Sequence, residues 1–323
     1  MFSIIEHGQI IIDKNSYLSF PDIIKGHNNN LFLVYRSANS HHPVYSSLHL
    51  LTSNDMGKSW SKQFHIPASL MKEGYVWNCP RLSYGYDNKL MIICDIKDHT
   101  DELKSNFNVV FVEILNGVSY QKPCLSGING MVPDKFIGFK DKTICAVHRK
   151  DPIYGNLIQL IYWSRDSGKT FIDCNLLARV AGKDFCEASV VNYKDQIAFA
   201  YLRENSRQPQ NIYMSFSNDI YHWNDPEPLP IYGHRVTAKY VGRNRIIGTF
   251  RNTQDMCVSM FRHVINMKND IEVINIIEEK PENIYNFGYS GFVEIKPGVY
   301  FVVYYIKQDK EQPYIAYSII EDK

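Results

Sequence analysis

The sequence contains no apolar run near the ~18 residues that a membrane-spanning helix requires. It also has almost no net charge, since 35 Lys and Arg against 34 Asp and Glu leave a formal +1. Nothing in so balanced a chain steers it toward nucleic acid or an anionic membrane, so any electrostatic specificity must be local. Its 7 cysteines are an odd set without a C-x-x-C pair. That argues against a disulfide framework and for buried thiols in a reducing compartment. The opening MFSIIEHGQIIID has no basic segment and no small-residue cleavage site. A cytoplasmic protein is therefore expected, or a secreted one if a leader precedes this stretch. Absent too are a glycine-rich phosphate loop, a G-x-S-x-G elbow and a Cys–His signature. Asp98 and His99 are adjacent in sequence and poorly placed to chelate together, so neither metal nor cofactor is expected.

No segment carries a helical period of convincing length, and no Pro/Gly/Ser linker divides the chain, so residues 1–323 read as one domain. What is present is β-prone: 45% hydrophobic residues and 13% aromatics, with 22 Tyr suited to pleated, half-buried surfaces. One pattern recurs six times, a short apolar stretch, a polar turn and a second apolar stretch. The copies begin at Phe20, Cys79, Val132, Cys186, His234 and Tyr289, spaced by roughly 50 residues. Each reads as a hairpin, and a second hairpin fits before the next copy. Four strands per repeat predict an all-β, six-bladed propeller, with Ile4–Ile12 joining Tyr314–Ile319 to close the ring.

A second motif keeps step with the first. Ser53-Asn-Asp55-Met-Gly57-Lys-Ser59-Trp60 and Ser164-Arg-Asp166-Ser-Gly168-Lys-Thr170-Phe171 share S-x-D-x-G-x-[ST]-[WF], and Ser217-Asn-Asp219-Ile-Tyr-His-Trp223 is a worn copy. In such a turn the Asp accepts nearby backbone N–H groups and the Gly supplies a positive φ. These segments resemble the Asp-box, or BNR, repeats of the sialidase superfamily across nearly the whole chain. The resemblance implies a scaffold role for Asp55 and Asp166, on the face away from the working site.

Topology then places the site where inner strands begin and second strands end. The beginnings carry Asp22, Arg81, Asp134, Glu187, Arg235 and Tyr289, and the ends carry Arg36, Asp95, Arg149, Arg203, Arg251 and the pair Tyr304–Tyr305. So many charges in one funnel are costly unless they pair or hold a charged ligand, and the forked guanidinium suits a carboxylate. Mutual pairing that stiffens the propeller neck is the alternative.

Two stretches match the family more closely. Glu187-Ala-Ser-Val-Val with Arg203-Glu-Asn resembles the sialidase E-P-x-V-V…R-N, and Tyr289-Ser-Gly-Phe resembles Y-S-x-L. The resemblance implies Tyr289 as nucleophile, Glu187 as its base and Arg203, with Arg251, as a carboxylate clamp. Two family features are missing. Ser19 stands where the first clamp Arg belongs, leaving Arg36 or Arg81 to replace it, and Ser37–Tyr45 contains no Asp or Glu to act as acid. Asp22, Asp134, Asp95, His42 and His41 are the acid candidates. The expectation is a glycoside hydrolase acting on an acidic sugar, either sialic-acid-like or a uronic acid. Arg36, Arg81, Arg149, Arg203, Arg235, Arg251, Asp95 and His42 would contact this anionic carbohydrate. A glycan-binding propeller without catalysis, using aromatics such as Tyr75 and Trp77, is a second reading. A polysaccharide lyase and a protein-interaction propeller are further ones.

Overall fold

The structure, a computed structural model, describes residues 2–100, 107–171, 173–206, 210–265, 270–277, 283–308 and 311–323. Among these residues the regular elements are strands, interrupted only by the single 3₁₀ turns Ala68–Leu70, Tyr86–Asn88 and Ile284–Asn286. The six repeats each form an antiparallel hairpin. They pair Tyr17–Lys25 with Leu31–Ala38, Arg81–Tyr84 with Leu90–Asp98, and Ile137–Phe139 with Lys142–Lys150. The others pair Phe185–Tyr193 with Ile197–Glu204, Glu227–Tyr240 with Arg245–Asn252, and Phe287–Lys296 with Val299–Ile306.

Strands such as Leu90–Asp98 are apolar on both faces because each face is covered by a neighbouring sheet. Leu48 and Leu50 pack on Trp77, Leu82 and Ile92, and comparable seams follow around the molecule. The last seam sets Val303 and Tyr305 of the sixth hairpin against Leu33 and Tyr35 of the first. The sheets therefore close into a propeller around an axis. Phe2–Ile11 pairs with Tyr314–Asp322, so both ends of the chain lie in one sheet.

The division into six separate four-stranded sheets is not what the hydrogen bonding gives. There are five sheets, three of four strands, one of six and one of seven. The seven-stranded sheet arises because Glu227–Tyr240 runs without a break. Asn211–Ser217 pairs along its first part, as far as Tyr232, and Arg245–Asn252 along the rest, from Gly233. A Cβ at Gly233 would lie 2.3 Å from the Arg251 carbonyl oxygen, so the chain crosses there through a residue without a side chain. In the six-stranded sheet, Tyr75–Trp77 and Arg81–Tyr84 both pair with Leu90–Asp98. They are parted around Pro80, which has no N–H to continue the ladder.

One irregularity recurs at the start of the inner strands. Pairing slips between Ser19 and Asp22, Cys186 and Ser189, His234 and Thr237, and Gly288 and Gly291. Within these bulges Phe20, Glu187, Arg235 and Tyr289 have φ of +54°, +53°, +38° and +47°, and Val132 at the matching point has +46°. Left-handed backbone at such residues costs about 1–2 kcal/mol each, and a bulge re-aims the side chain it carries.

Two residues further on, polar side chains fasten one hairpin to the next. Asp22 Oδ2 accepts the Leu82 N–H at 2.7 Å and Asp134 Oδ2 that of Val190 at 2.7 Å. Ser189 Oγ accepts the Ala238 N–H at 3.1 Å, and Thr237 Oγ1 donates to the Ser290 carbonyl at 2.7 Å. Asp22 also binds Lys135 Nζ at 2.9 Å and Arg81 Nη1 at 3.4 Å. At the opposite end of the strands, Asp55 accepts the Ser59 N–H at 2.9 Å and its hydroxyl at 2.6 Å, while Met56 and Gly57 take φ of +60° and +94°. Asp166 repeats these contacts with Thr170 at 2.9 and 2.6 Å.

Asp22→Asn removes the carboxylate that neutralises two buried cations. Urea unfolding should show a loss of about 3–5 kcal/mol, the range for breaking a buried ion pair by removing one partner.

Candidate active site

The left-handed bulges define one level of the axis. Phe20, Val132, Glu187 and Tyr289 line a cavity of about 190 Å³ together with Cys79, Arg36, His41 and His42. The second strands contribute the residues opposite the bulges. Arg36 pairs with Ser19, His148 with Met131, Arg203 with Cys186, Arg251 with His234 and Tyr305 with Gly288. Asp95 completes this ring, its carbonyl accepting the Asn78 N–H at 3.0 Å.

At the centre, Tyr289 Oη donates to Glu187 Oε1 at 2.6 Å. Arg203 Nη1 donates to Glu187 Oε2 at 2.8 Å and to Tyr289 Oη at 3.0 Å, and Nη2 donates to Asn205 Oδ1 at 2.7 Å. Both Tyr289 and Glu187 are buried. Burial would raise the Glu187 carboxyl, but Arg203 and Arg235, with hydrogen bonds from Tyr289 and Arg203, outweigh it and hold the acid far below its usual range. Burial and the Glu187 charge push the Tyr289 phenol well up, so at rest its proton stays on oxygen.

The cations around this pair differ in what they hold. Arg251 donates from Nε to the Phe287 carbonyl at 2.8 Å and from Nη2 to Tyr305 Oη at 2.8 Å, while Nη1 lies 3.5 Å from His234. Three of its five N–H groups are thus engaged at strand ends, and its Cζ lies 4.6 Å from the centre of the Tyr289 ring. These contacts support the neighbouring strand ends and leave two N–H groups for the substrate clamp in which Arg251 is expected. Arg36 donates to Ser19 Oγ at 3.2 Å and the His41 carbonyl at 3.1 Å, and lies 4.4 Å over the Phe20 ring. It has no carboxylate partner among the described residues. Arg235, 3% exposed, makes no hydrogen bond or ion pair among the described residues and sits 5.4 Å from the Tyr289 ring.

Several residues expected at the site lie elsewhere. Asp22, Arg81 and Asp134 stand two residues beyond the bulges, below the cavity. Asp22 is paired with Lys135 and Arg81, which overcome burial and keep it ionised. Arg81 Nη2 donates across the axis to Thr237 Oγ1 at 3.1 Å. Asp134 is tied to the next hairpin and lines a separate cavity. Arg149 is one residue past His148 and therefore projects to the other face of its strand, half-buried. Asp95 is fully buried behind the lining residues Asn78 and Cys79, held by Asn78 Nδ2 at 2.8 Å and the Cys79 N–H at 3.3 Å, and burial raises its carboxyl. Trp77 does line the cavity but is buried, with its Nε1 donating to the Ile66 carbonyl at 3.0 Å. His42 and His41 do line the cavity. Burial and Arg36 depress His41 to about 3, leaving it neutral.

His148 is the residue that reading by motif misses. Its Nδ1 accepts the Glu187 N–H at 3.3 Å, and burial depresses it to about 4. Counting strand register back from Arg36 and Arg203 identifies it.

No family model and no curated protein matches the chain. Solved structures do. A protein of unknown function from Dyadobacter fermentans superposes with a TM-score of 0.82 at 19% identity, covering 100% of this chain and 99% of that one. An alpha-L-arabinanase of Penicillium chrysogenum, complexed with arabinobiose, gives 0.74 at 13% identity, over 99% and 98%. A sialidase of Streptococcus pneumoniae gives 0.71 at 11% identity, over 97% of this chain and 70% of its own. At such identities the likeness establishes the propeller fold.

Glu187→Gln should be less stable than the parent at neutral pH, because Arg203 loses its buried counterion. The native carboxyl is depressed, so its contribution is full above the unfolded value of about 4.3 and fades as pH falls below it. Denaturant unfolding at pH 7 and at pH 3 should show the gap between parent and variant narrowing in acid.

Proposed function

We propose that this propeller is a glycoside hydrolase whose reaction centres on Tyr289 and Glu187. The observation carrying this reading is the 2.6 Å hydrogen bond from a buried phenol to a carboxylate held ionised by Arg203. Tyr289 Oη attacks the anomeric carbon while its proton passes to Glu187, and the bond to the leaving oxygen breaks. Neither group is charged the wrong way at rest, and the phenol loses its proton only as the new bond forms. His42, which faces the same cavity, protonates the leaving oxygen. Water, giving its proton to the His42 that the first step left neutral, then hydrolyses the aryl glycoside bond between sugar and Tyr289, with Glu187 returning the proton to the phenolate. The solved arabinanase and sialidase with this fold are carbohydrate-active, which supports a sugar as the ligand.

The substrate we propose is an acidic sugar. Arg235 and Arg36 lie beside the pair without a carboxylate partner, and a buried guanidinium gains most from a charged hydrogen-bond acceptor. We also count the architecture as one domain of six blades, dividing the seven-stranded sheet at Gly233, because the apolar seams recur between all six hairpins.

Turnover should be measured on aryl glycosides of N-acetylneuraminic acid, its deaminated analogue and a hexuronic acid. Tyr289→Phe and Glu187→Gln should each lower kcat by at least about 10²-fold, the scale of a lost proton-transfer partner. His42→Ala should slow substrates with poor leaving groups more than nitrophenyl ones. Turnover unchanged in both Tyr289→Phe and Glu187→Gln would overturn the assignment. Saturable binding of the free acids without turnover would make the propeller a glycan-binding module.

A further inference from the structure

The inner strands run from the Tyr289 cavity toward the turns that carry Asp55 and Asp166. Near that far end a second cavity, about 260 Å³, opens around the axis. Its wall includes Ser83, Asp134, Lys135, Ser189, Thr237 and Lys239. None of these residues lines the first cavity, and the proposed reaction uses none of them.

The two lysines differ in their partners. Lys135 Nζ is held by Asp22 at 2.9 Å and by the Ile23 carbonyl at 3.2 Å. Lys239 Nζ donates to the Phe292 carbonyl at 2.8 Å and has no carboxylate partner among the described residues. An ammonium carries three N–H donors, so Lys239 keeps two for something else. Ser189 Oγ already accepts from Ala238, which leaves its O–H free to donate. The charges are also uneven. Arg81, Lys135 and Lys239 meet Asp22 and Asp134, and Asp134 is pushed toward its neutral form by burial despite Arg81. With all five groups ionised, cations outnumber carboxylates by one at this end of the axis, beside open space.

We propose that this second cavity is a binding site for a small oxyanion, held by Lys239 with the Ser189 hydroxyl. Burial and the neighbouring Lys135 push Lys239 down to about 7, and an anion in the cavity reverses that effect. The ligand chemistry is an anionic oxygen group with room for a few further atoms, supplied either by inorganic phosphate or by the carboxylate of a free sugar acid. It stabilises the neck of the propeller by bridging strands that Asp22 and Asp134 fasten elsewhere.

Phosphate binding is measured by calorimetry on the parent, Lys239→Met and Glu187→Gln. The proposal expects saturable binding in the parent, equal binding in Glu187→Gln and at least a tenfold loss in Lys239→Met. Lys239→Met keeps the apolar stem, and a measurement on the parent alone stands beside it in case the variant fails to fold. There, acetylation of Lys239 by a small activated ester, read by peptide mass, slows several-fold in phosphate. Displacement of phosphate by free N-acetylneuraminate in Glu187→Gln assigns the site to a sugar carboxylate, and failure to displace it assigns phosphate. Undiminished binding in Lys239→Met, absence of saturable binding in the parent, or an acetylation rate indifferent to phosphate would each overturn the proposal.

Discussion

The site depends on a backbone constraint, the left-handed turn at the start of the inner strands. In a regular strand successive side chains alternate between faces, and in a propeller both faces belong to the neighbouring sheets. At the start of the inner strands a residue turns into the cavity where that alternation is broken, beside the side chains that the regular second strands supply. The bulges at Phe20, Glu187, Arg235 and Tyr289 break it, each with a positive φ that a non-glycine residue adopts at some cost. Repetition makes this affordable, because the hairpins on either side are held by continuous ladders and apolar seams. Strain stored at one level of the axis is what brings Glu187 and Tyr289, 102 residues apart in sequence, within a hydrogen bond.

Electrostatics then sorts the axis into levels. At the bulges, Arg203 grips Glu187 and Tyr289 while Arg235 and Arg36 stay without carboxylate partners. Two residues further on, Asp22 neutralises Lys135 and Arg81, and Asp134 and Ser189 fasten adjacent strands. Further still, Lys239 faces open space. Buried charges are expensive when unpaired, so the same column stiffens the molecule where pairs are complete and offers binding where they are not.

Much of this was legible in the sequence. The six hairpins follow from apolar stretches flanking polar turns, and the turns at Asp55 and Asp166 from their side-chain chemistry. Glu187, Arg203 and Tyr289 were identified by resemblance, and they do meet. What could not be read was register. A bulge shifts the pattern by one residue, so Asp22, Arg81 and Asp134 looked equivalent to Glu187 although they lie a level below. Arg149, one residue past His148 on a strand that pairs without a shift, was conspicuous because Arg stands at the same end of neighbouring copies. The unbroken strand through Gly233 was equally invisible, since continuity across a boundary depends on packing against the Arg251 backbone rather than on a local signal. Arg251 shows a different limit: its position was foreseen, but not that Phe287, Tyr305 and His234 would take three of its five donors.

The central claim is that the Tyr289 oxygen forms the bond to sugar carbon. The most direct test is intact-mass and peptide analysis after incubation with a fluorinated acidic glycosyl fluoride, which slows breakdown of a covalent intermediate. A single adduct on the Tyr289 peptide, absent in Tyr289→Phe, is the result this account predicts. An adduct on Glu187, or none while ordinary substrates are still turned over, would contradict it.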